Sequence, residues 1–188
     1  KVDKGMKKPI IAHPIVSALL EKGANLSTSN VYGESVLAKA VEDLNGELVQ
    51  DLMYRNVDII HTRNNKQQGL LHTLVNRLSR MTYTDEVEKS ANIIIDILLT
   101  ELCIDDMDIN QQTPLHLAAH AGCVHTTNLL LKRGANITIR DKFGFLALHW
   151  SVPHDKVFKI LWEITSNHLY DEDFENLIVS LWTFQNVY

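Results

Sequence analysis

Cysteine is scarce in this chain, with only Cys103 and Cys123 in 188 residues. The two thiols lie in different stretches, so no disulfide framework can hold the fold, and a reducing intracellular compartment, cytosol or nucleus, suits the chain. An excess of positive charge is missing too. Basic side chains number 18 against 23 acidic ones, a formal charge of -5. That leaves no continuous cationic surface of the kind a phosphate backbone rewards by counterion release, and direct nucleic-acid binding is not expected. Long apolar runs are absent: the longest, Ile93 to Leu99, is broken by Asp96. Crossing a bilayer takes about 20 apolar residues, so no membrane insertion is expected. The eight glycines are spread along the chain. Neither a phosphate-cradling loop nor a nucleophile elbow can be built from glycines so placed, and enzyme activity has no positive support.

What the chain does have is apolar content, 45%, enough to bury a core in one domain or a short array of repeats. It opens KVDKGMKKPIIAH, beginning at Lys1 rather than methionine. With two basic clusters and only a stub of apolar sequence there, it reads as a piece of a longer protein with further domains of its own.

Self-similarity is the main signal. Leu115-His116 and Leu148-His149 are 33 residues apart, Leu71-His72 lies 44 before Leu115-His116, and Leu37-Ala38 lies 34 before that. Each of these starts follows an apolar stripe of helical spacing that ends at a turn: IVSALLEKGANLS, LVQDLMYRNVDII, IIIDILLTELCID and TTNLLLKRGANIT. Within the best-formed unit, Thr113 is placed to cap a helix, Pro114 sits in its first turn, and Gly134, like Gly23, suits the left-handed residue that ends a second helix.

Thr113-Pro114-Leu115-His116-Leu117-Ala118-Ala119, the turn at Gly122 and the exit Gly134-Ala135-Asn136 resemble the ankyrin repeat, in register. The resemblance implies an all-α solenoid of stacked helix-turn-helix repeats with hairpin tips, about four to five repeats with partial or divergent ends. It divides 1–188, read as one domain, into a partial repeat at 1–29, repeats at 30–63, 64–107 and 108–140, a divergent repeat at 141–167 and a capping helix at 168–188. By the resemblance, small Ala118 and Ala119 allow close helix approach, Leu115, Leu129, Leu130 and Leu131 fill the layer between repeats, and His116 makes a structural hydrogen bond to neighbouring loops. Gly69-Leu70, Leu146-Ala147 and Asn56-Val57-Asp58 depart from the motif, so those repeats should be less regular.

The long interval places an insertion near 79–90, LSRMTYTDEVEKS, between a first helix at about 69–78 and a second at about 91–100. It is expected as a solvated loop, or as a partner-contacting finger carrying Met81 and Tyr83. At the other end Trp162, Phe174, Leu177, Ile178, Leu181, Trp182, Phe184 and Tyr188 are too many apolar groups for one exposed cap, so this end either packs on more protein or is itself a contact site.

His116, His120, Cys123 and His125 lie close in sequence, but the histidines do not converge and no closed ligand set appears, so no metal is expected. Cys123 lacks the cleft and electropositive setting of a nucleophile; no catalytic residue and no cofactor are assigned.

The resemblance puts partner contacts on the concave side, at the hairpin tips and the flank of each first helix. The tips are Val31, Tyr32 and Glu34; Asn65, Lys66 and Gln68; Ile109, Asn110 and Gln112; and Lys142, Phe143 and Phe145. The flanks are Glu42 and Asp43, Asn76 and Arg77, His120, and Pro153 and His154. Exposed aromatics at such tips make good anchors. The expected function is therefore a protein-protein interaction module, a scaffold or adaptor binding another protein. The alternatives are a regulatory or substrate-targeting segment of a multidomain enzyme, or a pathogen effector that captures a host protein.

Overall fold

The computed structural model describes residues 14–55 and 57–185, without the side chains of Val57 and of 182–185. The N-terminal basic clusters, Asn56, Tyr188 and the side chains of Trp182 and Phe184 therefore lie outside the described residues. The fold is all-α. Among the described residues ten α-helices follow in chain order: α1 (Pro14–Glu21), α2 (Val36–Glu42), α3 (Gly46–Arg55), α4 (Leu70–Leu78), α5 (Asp85–Leu98), α6 (Pro114–His120), α7 (Val124–Lys132), α8 (Ala147–Trp150), α9 (Asp155–Thr165) and α10 (Asp171–Gln185). Short 3-10 turns follow α3 and α9, at Val57–His61 and Ser166–His168. Extended pairing among the described residues is an isolated bridge from Ser29 to Ser35. None of the described helices is long and apolar enough to cross a membrane.

The described residues form two compact units, one of those up to 74 with 84–102, the other of 75–83 with those from 103 onward. In the first unit α2 begins where the Ser35 hydroxyl accepts the Ala38 N–H at 3.2 Å, a side-chain cap on an otherwise orphaned donor. Leu37, Ala38, Ala40 and Val41 of α2 are buried with Val49, Leu52 and Met53 of α3. Next, α3 packs on α5, and Gly46 makes the approach possible, since a Cβ there would lie 3.2 Å from the Ile93 side chain. Arg55 ties α3 to α1, donating to Asp51 of its own helix at 2.9 Å and to Ser17 at 2.7 Å.

In the second unit α6 packs on α7 and α8, α9 packs on α7 and α8, and α10 closes on α8. Ala118 and Ala119 are fully buried, as close helix approach demands, with Leu115, Leu129 and Leu130; Leu131 is only half-buried. Gly23 and Gly134 take φ of +85° and +84° just past α1 and α7, the left-handed exit that glycine adopts without a Cβ clash. By contrast, α8 is a single turn, because Pro153 has no N–H to continue it and disfavours helical geometry at Val152.

One expectation is corrected here. Asp85 to Lys89, read as part of a loop, are the opening turns of α5, where Thr84 accepts the Val87 N–H at 3.3 Å and Asp85, Glu86 and Glu88 complement the helix dipole.

Candidate partner-binding surface

Each tip is built by one acceptor side chain. Asn30 Oδ1 accepts the N–H groups of Tyr32 and Glu34 at 2.9 and 3.0 Å. Asn64 does the same for Lys66 and Gln68, Asp108 for Asn110 and Gln112, and Asp141 for Phe143 and Phe145, all between 2.8 and 3.0 Å. In each case the fourth residue, Gly33, Gln67, Gln111 or Gly144, has φ between +57° and +82° and returns its N–H to the carbonyl of the first. Asn and Asp favour this because a short polar side chain can replace a backbone partner two and four residues on. The signal lies in the sequence, where Asn30, Asn64, Asp108 and Asp141 open the repeats at the same register beside the more conspicuous Leu-His pairs.

Tips within a unit are joined by main chain. Asn65 N–H donates to the Tyr32 carbonyl at 3.1 Å in the first unit, and Lys142 N–H to the Asn110 carbonyl at 3.0 Å in the second. With the backbone so tied, the side chains at the apex stand in solvent: Tyr32 is 67% exposed, Ile109 62% and Phe143 59%. Val31, Asn65, Lys66 and Lys142 are exposed as well, and Lys142 Nζ lies 4.9 Å from the centre of the Phe143 ring.

Other candidates have structural duties. Glu34 takes a hydrogen bond from Asn30 Nδ2 at 2.8 Å, and Gln112 donates to Asp141 Oδ2 at 3.3 Å. Phe145 is half-buried, stacked on His149 at 5.4 Å and edge-on to Trp150 at 6.1 Å. Lys39 holds Glu42 and Asp43 at 2.7 and 3.2 Å, a surface pair that contributes little. Asn76 and Arg77 are half-buried, and Pro153 is exposed. His154 packs over Gly122 and donates its Nε2–H to the His120 carbonyl at 3.0 Å. The His120 ring meets Trp150 edge-on at 5.1 Å. Trp150 was not singled out from the sequence; its indole N–H donates to Asp141 Oδ2 at 2.9 Å, so it braces the last tip.

The repeat histidines brace the tips too. His116 Nδ1 accepts the Thr113 N–H at 3.2 Å while Nε2 meets the Phe145 carbonyl at 3.1 Å. His149 repeats this with the Leu146 N–H at 2.9 Å and the Asp173 carbonyl at 3.1 Å. A backbone N–H only donates and a carbonyl only accepts, so both rings carry their proton on Nε2. Burial pushes both below the ordinary histidine range, more than the carbonyl contacts raise them. His120 is lowered by burial and by the nearby His154. His125 stacks on Tyr83 at 4.0 Å, and Cys123 Sγ contacts Thr126 Oγ1 at 2.9 Å, so the histidines and thiol grouped by sequence each serve a separate contact. Tyr83, half-buried in that stack, is not a free finger.

The ankyrin-repeat family model matches residues 110–142. The chain is similar to the probable E3 ubiquitin-protein ligase XBOS32 of Oryza sativa subsp. japonica, 32% identical over 69% of this chain and 30% of that protein. It is 24% identical to the transcription factor MBP1 of Saccharomyces cerevisiae over 93% of this chain and 19% of that protein. It is 40% identical to a putative ankyrin repeat protein of Rickettsia bellii over 25% of this chain and 20% of that protein. The chain thus spans less than a third of the length of each of these curated relatives. From the matched repeat, its recurrence at every tip and the all-helical stacking within each unit, the chain belongs to the ankyrin-repeat family.

Proposed function

We propose that this chain is a binding module that holds a partner protein at its hairpin tips and first-helix flanks. Ankyrin repeats are protein-interaction modules, in which stacked scaffolding leaves the tip residues variable. The observation that carries the reading is the pairing of rigid turns with exposed apolar apices. The main chain at each tip is fixed by an Asn or Asp side chain, while Tyr32, Ile109 and Phe143 project with most of their surface wet. Rigid apolar groups of this kind bury large area at small entropic cost. Tip residues Lys66 and Lys142 and flank residues Asp43 and His120 would supply the polar rim.

The test is affinity capture from source-cell lysate with wild type and with a Tyr32→Ser/Ile109→Ser/Phe143→Ser variant shown by circular dichroism to be folded. A protein retained by wild type and lost by the variant supports the reading and identifies the partner. Equal retention by both removes the tips from the binding surface.

A second reading follows from the ligase named among the relatives: the module presents a partner to catalytic machinery elsewhere in a longer protein. The ankyrin fold is ordinarily non-catalytic, and the chain spans only part of that relative. Ubiquitylation of the captured partner by the full-length protein, lost in the same tip variant, would favour this reading over a simple scaffold.

A further inference from the structure

We infer that the outward face of α10 is a docking site for a basic amphipathic helix of another protein. Helix α10 is two-sided: Asp173, Leu177 and Ser180 are buried, whereas Phe174, Ile178 and Leu181 are exposed. Those three follow the i, i+4, i+7 spacing, which makes a continuous apolar stripe along one side of a helix. Ile178, at its centre, is 67% exposed. Phe174, at one end of the stripe, is edge-on to Trp162 at 6.4 Å, and Trp162 is stacked on Phe158 at 5.7 Å, so that end is mounted on a packed aromatic layer.

Charge selects the occupant. Between Asp171 and Gln185 there is no lysine, arginine or histidine. Asp171, Glu172 and Glu175 are exposed, while Asp173 is turned inward and neutralised by Arg140. At about 100° per residue Asp171 and Glu175 flank the N-terminal half of the apolar stripe, with Glu172 further round the helix, and the helix carries no compensating cation. An anionic membrane surface or a nucleic acid would be repelled. A second copy of this chain would bring no basic residue from its own α10, only the same carboxylates, so two such faces would repel. A helix with apolar residues at the same spacing and Lys or Arg over one half satisfies both the ridge geometry and the charge.

The probe is a fluorescein-labelled, about 18-residue helical peptide, long enough to cover the stripe. It carries Leu at i, i+3, i+4 and i+7 with Lys flanking one half; its control has Glu in place of Lys. Binding to the whole 188-residue chain is followed by fluorescence anisotropy. The Lys peptide is expected to bind at least about tenfold tighter than the Glu peptide, with affinity falling as salt rises. Ile178→Ser/Leu181→Ser should weaken binding at least about tenfold. Asp171→Asn/Glu172→Gln/Glu175→Gln should weaken it severalfold and remove the salt dependence; this variant leaves the apolar groups intact and decides the matter if the serine variant does not fold. Equal binding of the two peptides, or unchanged affinity in the charge variant, overturns the inference. So does a wild-type dimer in sedimentation that the serine variant dissociates, since a second copy would then be the occupant.

Discussion

Removing the Arg140 guanidinium should loosen the C-terminal end of the fold selectively. Arg140 Nη1 and Nη2 grip Asp173 Oδ1 and Oδ2 at 2.6 and 2.9 Å, and Nη1 also donates to the Gly144 carbonyl at 2.9 Å. Asp173 is fully buried, at 0% exposure, and its other support is the Tyr170 N–H at 2.8 Å. Burial by itself would push this carboxyl up, but the guanidinium and the Tyr170 N–H together hold it below the ordinary aspartate range. In Arg140→Met the carboxylate stays buried without its cation. Breaking a fully buried pair by removing one partner costs about 3–5 kcal/mol. The Arg140 side chain is 34% exposed, so water reaches it and the expected cost is lower, about 2–3 kcal/mol.

For a chain of this size that corresponds to a drop in Tm of about 4–12 °C by circular dichroism, if melting is two-state. Hydrogen exchange should show the loss first in α10, whose N-terminus Asp173 anchors. Asp173→Asn in the Arg140→Met background should recover part of the stability, because the uncompensated charge is gone and the Tyr170 N–H keeps an acceptor. The pH dependence has a definite sign. A carboxyl depressed by folding contributes stability that is complete above its unfolded value, about 3.9, and is lost as pH falls through the folded value. In Arg140→Met burial without the cation raises the carboxyl above its unfolded value. The gap between wild type and variant should therefore be full at pH 7, begin to close as pH falls toward that raised value, and close further below about pH 4 as wild type loses its own share. A Tm for Arg140→Met within about 1 °C of wild type, or an Asp173→Asn change that is harmful to the same extent with and without Arg140, would refute the reasoning.

Tip geometry gives a second test: Asp108→Ala deletes the acceptor for the Asn110 and Gln112 N–H groups and should cost about 1–3 kcal/mol in urea unfolding, while Asp108→Asn should be nearly neutral. Gly122→Ala places a Cβ 2.5 Å from the His154 ring at φ +66° and should lose about 1–2 kcal/mol; His154→Ala in that background should return only the steric share. His116 and His149, depressed by burial, stay neutral when folded, so stability should be level above about pH 6.5 and decline as pH drops from there toward their folded values. NMR should accordingly show both rings in the Nε2–H form at pH 7, and a protonated ring at either position would contradict the assignment.

How much of this was readable from residues alone differs by element. The helices with a strong cap and a clean stripe, such as Pro114–His120 after Thr113 and Val124–Lys132 before Gly134, were plain from local chemistry. The start of α5 was not, because its first turn is Asp-Glu-Val-Glu, which looks like a solvated loop until the Thr84 cap and the helix dipole are counted together. Phe145 read as an apex residue like Phe143 because both flank Gly144. They part company because Phe145 N–H closes the turn on Asp141 and its ring falls back onto His149, a contact between residues four apart that periodicity does not encode. The support from Trp150 was hidden for the same reason: its position carries Leu117 in the preceding repeat, so nothing in the pattern marks it as a hydrogen-bond donor to the tip.

The 44-residue interval shows what such a repeat can and cannot vary. Compared with the 33-residue repeat that follows, the stretch from Asn64 to Met107 is longer by two residues in its first helix, three in the connector, five in its second helix and one in the exit. The tip gains none. A helix accepts added residues at its ends because each extends the same ladder of hydrogen bonds and the buried stripe keeps its angular phase. A tip closed by one side chain on the third and fifth residues, with the left-handed fourth residue between them, counts its members one by one. A single insertion would break both side-chain bonds and move the positive φ onto a residue whose neighbours do not support it. Length change is thus confined to helices and connectors, and recognition at the tips can vary only through side-chain identity, at positions such as Tyr32, Ile109 and Phe143 whose backbone is already determined.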